Sequence, residues 1–148
     1  MTWRRLDFEV DEAEALLERG SRLLDDLADN PIATLRWYRA ASPALVLGRG
    51  QAPLHVEAEA GAPPVVTRFS GGGAVLMDAG LLSLDVLLPT RHPLLDGDLG
   101  AVFERVGSAW AGALGDLGVD GLSVHAGPST ARRRGDAREQ LLATICYA

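Results

Sequence analysis

The chain has 148 residues, 47% of them hydrophobic and 23% charged, with a net charge of −6. That length suits one domain over residues 1–148 with a real core, and the composition excludes a disordered acidic tail. The negative balance argues against a nucleic-acid phosphate backbone as a general partner.

No apolar run approaches the roughly 20 residues that span a bilayer. The opening MTWRRLDFEVDEAEALL carries acidic residues where a leader would be apolar, so the expectation is a cytoplasmic protein without membrane association. The one cysteine, Cys146, excludes an intrachain disulfide framework, and lysine is absent.

Residues 6–10 suggest a short opening strand. Ala13, Leu16, Leu17, Leu23, Leu24 and Leu27 then recur at helical spacing, with Asp11 as a candidate cap, Glu14 at the capping-box offset and Asn30-Pro31 as the stop. Strand density returns at residues 32–38 and 44–47. A turn and one helical turn around 55–60 lead to Pro63-Pro64. Residues 65–69 and 74–77 flank Gly71-Gly72-Gly73 as two strand candidates, and 81–88 follows the turn-forming Asp78-Ala79-Gly80 as a third. A long helix is expected over 98–118, stopped by Gly118, followed by a returning strand at 119–125, a polar loop and an apolar end at 141–147. This alternation predicts an α/β (α+β) domain whose sheet is mixed and largely antiparallel, packed with helices.

The glycine run has two readings. It is a hairpin turn between its flanking strands, or it presents successive backbone N–H groups of Gly71, Gly72 and Gly73 to a carboxylate or phosphate, with Ser70 adding a hydroxyl and Arg68 a forked cation. Arg49 and Gln51 stand at another strand end, a suitable place for a binding loop. Asp78 either accepts from a ligand or closes an Asx-turn, and Ser83 and Asp85 alternate with apolar neighbours, facing a cavity or water. His92, between Arg91 and Pro93, reads as a turn residue, His55 as a partly exposed side chain, and His125 as a possible base. No metal-ligand pattern is evident. Cys146 is a candidate nucleophile or a core filler among Leu141, Leu142, Ile145 and Tyr147, and Arg132-Arg133-Arg134 is a solvated loop or an anion contact.

The segments RWYRAASPALVLGRGQ at 36–51 and TRFSGGGAVLMDAGLLSLDVLLP at 67–89, in that order and spacing, resemble the lipoate-protein ligase and lipoyl or octanoyl transferase superfamily, which shares its catalytic fold with biotin-protein ligases. The resemblance implies that Arg68, Ser70, Gly71, Gly72 and Gly73 line the acyl and adenylate pocket, that Asp78 is the aspartate of a histidine-aspartate pair in which Met77 replaces histidine, and that Cys146 holds the acyl-accepting position. A ligase of this kind joins lipoate to AMP with ATP and Mg, then passes it to a lysine of a lipoyl domain or a glycine-cleavage H-type protein. A transferase takes an octanoyl thioester through Cys146, and a third possibility is an inactive acyl-binding or interaction domain. The family's following glycine-lysine-x-x-glycine segment does not precede Ala148, so the expectation is a catalytic domain lacking its C-terminal part, with self-association or a partner covering the sheet.

Overall fold

A computed structural model of the chain describes residues 2–51, 61–97 and 99–124. The organising strand is β3, Ala33–Ala40, whose side chains are buried on the face carrying Thr34, Arg36 and Tyr38. Two short strands share one of its edges, both parallel to it. Strand β1, Trp3–Arg5, meets Ala33 to Leu35, and β2, Glu9–Asp11, meets Tyr38 to Ala40. The expected single strand at 6–10 is thus two pieces serving the two ends of β3, with Leu6 N–H still donating to Leu35 O at 3.0 Å between them.

Helix α1, Ala13–Asp26, covers the Arg36 face, burying Ala13, Leu16 and Gly20. Its N-cap is Glu12 and carries no side-chain cap bond. Asp11 instead closes β2, and its carboxylate accepts from Glu12 N–H at 2.9 Å, so the predicted capping box does not form. The helix unwinds through Leu27, and Asn30 N–H returns to Asp26 O at 2.8 Å before Pro31.

A second sheet is built around β4, Ala44–Leu47. Strand β5, Val65–Thr67, lies parallel on one side of it and β6, Val75–Met77, antiparallel on the other. Val46, Ala44 and Met77 join Leu16, Tyr38 and Ala40 in the buried cluster between the sheets and α1. The remaining strand, β7, Ser83–Leu87, forms the longest ladder, antiparallel to β3. The mixed α/β class is as the sequence suggests. The sheet is divided in two, however, and its ladders are shared between parallel and antiparallel pairings rather than being largely antiparallel, because β1, β2 and β5 all run with their partners.

Helix α2, Leu99–Asp116, lies on the opposite face from α1, where Trp110 meets Trp37 edge-on with ring centroids 5.4 Å apart. It ends at Gly118, where Val119 N–H bonds Leu114 O and Gly118 N–H bonds Gly115 O, a Schellman closure. No strand forms over 119–124. That segment folds back so that Val124 packs against Gly107 of the helix, which replaces sheet pairing with side-chain contact. No helix among the described residues is long and apolar enough to cross a membrane.

Candidate functional site

The hairpin reading of the glycine run fails, because β5 and β6 do not pair with each other and β4 lies between them. Residues 68–74 therefore cross over the end of β4. The crossing is tight enough that a Cβ on Gly48 would stand 2.1 Å from Gly72 O, so only glycine fits beneath it. Gly72 itself has φ +99, the left-handed region that glycine enters without penalty.

Hydrogen bonds pin the crossover. Arg68 N–H donates to Leu47 O at 2.9 Å and Arg49 N–H to Ser70 O at 2.8 Å, while Gln51 Oε1 accepts from Gly48 N–H at 2.9 Å. The Arg68 guanidinium reaches Gly71 O through Nε (3.0 Å) and Nη2 (2.8 Å), and Gly73 O through Nη2 (3.2 Å). Arg68 is thus first a clamp on the loop. Since N–H and C=O oppose each other across a trans peptide, the carbonyl contacts of Ser70 and Gly71 direct the N–H groups of Gly71 and Gly72 the other way. No acceptor among the described residues meets those two donors.

The crossover opens onto a groove of about 800 Å³ to which Arg68, Phe69 and Ser70 contribute. The groove follows β7, whose second edge has no partner among the described residues. Strand register divides its walls. Asp85 pairs with Arg36 and so lies on the α1 face, with Leu17, Leu24, Val75 and Met77, whereas Leu84 pairs with Trp37 and lies with Val102, Phe103 and Val106 of α2. Apart from the crossover, the lining is mostly aliphatic.

One polar cluster interrupts it. Arg36 is 0% exposed, and its guanidinium donates to both oxygens of Glu9 (3.3 and 2.9 Å), to Asp85 Oδ2 (3.0 Å) and to Leu16 O (2.9 Å), while lying 4.4 Å over the Tyr38 ring. Tyr38 Oη donates to Asp85 Oδ1 at 3.0 Å. The Arg36 bond holds the Glu9 carboxyl below its usual range, burial opposing and Arg19 assisting. Burial works against the Arg36 cation, yet Glu9 and Asp85 outweigh it and raise its pKa further. Burial together with the Asp85 charge pushes the Tyr38 hydroxyl well above the ordinary phenol value.

The residues proposed from sequence therefore separate. Arg68 and Ser70 lie on the groove, with Ser83 and Met77, and Gly71, Gly72 and Gly73 complete the crossover. Asp78 stands outside that lining, its Oδ1 accepting Gly80 N–H at 2.7 Å in an Asx-turn. Arg49 is exposed and contributes its backbone to the crossover. His92 is a turn residue, as expected, with Nδ1 accepting Leu94 N–H at 3.2 Å. His55, His125, Cys146 and Arg132 to Arg134 lie outside the described residues. Sequence reasoning missed Arg36 and Tyr38. Their signal was an arginine two positions from a tyrosine inside one strand, hence on one face.

Among solved structures, a putative lipoate protein ligase from T. acidophilum with bound lipoic acid matches at a TM-score of 0.67 and 22% identity, covering 85% of this chain and 56% of that one. A second structure of that protein matches at 0.61 and 20%, covering 85% and 55%. A structure titled as a bi-partite lipoate protein ligase and its E2 lipoyl domain from Thermoplasma acidophilum matches at 0.61 and 23%, covering 85% and 49%. At these identities the likeness is one of fold, and the chain spans about half the length of the structures it matches. No curated protein sequence matches it. Residues 14–133 match the lipoyl protein ligase A/B catalytic domain, and the chain belongs to that family.

Proposed function

We propose that the chain binds the acyl chain of lipoate or octanoate in the groove along β7, with the carboxyl end against the crossover, and serves a lipoate-protein ligase-like reaction. The observation that carries this reading is that Ser70 and Arg68 of the crossover and the aliphatic walls belong to one groove. The free N–H donors of Gly71 and Gly72, in the same crossover as Arg68 and Ser70, suit a carboxylate, and the groove's apolar walls suit its tail. The T. acidophilum protein whose structure holds lipoic acid supports the choice of ligand.

In such a reaction a lipoate carboxylate oxygen attacks the ATP α-phosphorus and pyrophosphate leaves. The neutral amine of an acceptor lysine then attacks the acyl carbon of lipoyl-AMP, AMP leaves and the amine loses a proton. Donors fixed in advance by Arg68 and Gly48 would stabilise the charge that develops on the acyl oxygen, with no loop reorganisation at that moment. No group of three or more His, Cys, Asp or Glu among the described residues could hold a metal, so magnesium would enter with the ATP phosphates. The acceptor is a lipoyl domain or a glycine-cleavage H-type protein. A second polypeptide completing the site is favoured by the bi-partite relative.

The test is incubation of the whole chain with lipoate, Mg-ATP and a lipoyl domain, followed by intact-mass analysis. A lipoyl gain on the acceptor is expected. Calorimetry showing that neither lipoate nor octanoate binds would refute the groove assignment, and binding without transfer would leave an acyl-binding component. An octanoyl thioester arm with Cys146→Ser separates transferase action, since a Cys146-linked acyl adduct disappears in that variant.

A further inference from the structure

The Asp85 carboxylate occupies a position that an acyl tail alone does not explain. It lies on the α1 face of the groove, the same face as Leu17, Leu24 and Met77, and its side chain is 28% exposed. Tyr38 donates to one oxygen and Arg36 to the other. An ionised carboxylate accepts about four hydrogen bonds, which leaves about two positions unfilled. Burying it under a plain hydrocarbon chain would leave that acceptor capacity unmet, a standing cost against such ligands.

Charge decides which donor suits it. Arg36 pairs directly with Asp85 at 3.0 Å, so a second cation there would sit beside the Arg36 guanidinium, whereas Arg19 stands across Glu9 (2.6 Å) and is shared with Asp11 (3.5 Å). Asp85 already has its counter-ion, and a neutral donor fills its remaining acceptor positions without facing that cation. We propose that Asp85, held by Arg36 and Tyr38, is a specificity-determining residue that selects acyl chains carrying a neutral hydrogen-bond donor, a hydroxyl or a thiol, over saturated chains. The reduced dithiol form of lipoate then binds better than the cyclic disulfide, which has no donor. This inference rests on the acyl-groove reading and adds the chemistry of the tail to it.

The experiment is calorimetric titration of the whole chain with octanoate, 8-hydroxyoctanoate, 8-aminooctanoate, lipoate and dihydrolipoate, repeated on Asp85→Asn. A hydrogen bond to a charged acceptor predicts roughly tenfold tighter binding of 8-hydroxyoctanoate than of octanoate, falling to about threefold or less when Asn offers only a neutral acceptor. Dihydrolipoate is expected to exceed lipoate in the same sense, and the two arms separate hydroxyl from thiol recognition. Equal affinities for octanoate and both donor-bearing acids overturn the selectivity while leaving the groove assignment standing. Tightest binding of 8-aminooctanoate overturns the neutral-donor claim. No binding of any acid overturns the groove assignment and this inference together. The unsubstituted chain's ligand order decides the matter even if Asp85→Asn does not fold.

Discussion

Gly48 and Gly72 are in backbone contact, so close that a methyl group on the first would overlap the carbonyl oxygen of the second at 2.1 Å. One strand end thereby sets the height of the glycine crossover, and the N–H groups of Gly71 and Gly72 inherit their placement from it. A Gly48→Ala substitution must lift the loop or shift β4. Overpacking of this kind costs about 1–3 kcal/mol, so urea unfolding should register that loss together with weakened carboxylate binding. Gly50→Ala is the control, since nothing lies within 4 Å of its Cβ position, and its unfolding midpoint should move little.

Arg68 holds the same loop from the other side through Gly71 O and Gly73 O. Arg68→Lys keeps the charge but loses the fork that reaches two carbonyls at once. Octanoate affinity should fall about tenfold, the equivalent of one or two net hydrogen bonds, with a stability change below about 1 kcal/mol. Calorimetry and thermal denaturation check the two halves separately.

The buried Arg36 cluster ties β2, β3, β7 and α1 together, and Arg36→Met strands Glu9 and Asp85 without their common partner. Removing one member of such a pair costs about 3–5 kcal/mol when fully buried, and the opening at Asp85 places this site near the low end. Adding Glu9→Gln and Asp85→Asn to Arg36→Met should recover part of that loss, measured by denaturant unfolding.

Stability should also follow Glu9. Its folded pKa is lowered from 4.5, so its contribution is present above that value and is lost as pH falls through the lower folded value. Acid unfolding should set in below about pH 4.5, and Glu9→Gln should flatten that limb. Tyr38 acts at the other end. Its folded pKa is raised from 10.0, so its contribution is intact below pH 10.0 and is lost as pH rises toward the folded value.

Much of this architecture is legible in the chain because it is local. The run at 44–47 is the strand itself, the leucine spacing after Ala13 is the helix, and the core of 81–88 survives as Ser83–Leu87. What the sequence hides is non-local pairing. Nothing in VVTRFSGGGAVLM says that β4 will insert between its two halves, and that insertion turns a hairpin into a crossover. Asp11 failed as a cap because β2 claimed it for pairing with Ala40. Ser70 and the glycines stood out in the sequence through turn chemistry and resemblance and lie on the crossover, whereas Arg36 disclosed its place only when Glu9 and Asp85 arrived from distant segments.

Phe103, 59% exposed on α2, lines the groove without supporting the core. Phe103→Ala should cost less than about 0.5 kcal/mol of stability. It should weaken binding of acyl chains that reach the α2 wall several-fold, as expected from losing part of about 1.5–3 kcal/mol of apolar burial. Titration with acids of increasing length checks this.

The most direct measurement of the central claim is a crystal structure of the chain with bound octanoate. The account places the carboxylate within hydrogen-bond distance of the Gly71 and Gly72 N–H groups and the tail along β7 beside Leu17, Leu24 and Met77. A carboxylate seated away from residues 70–73, or a tail outside the groove, would contradict it.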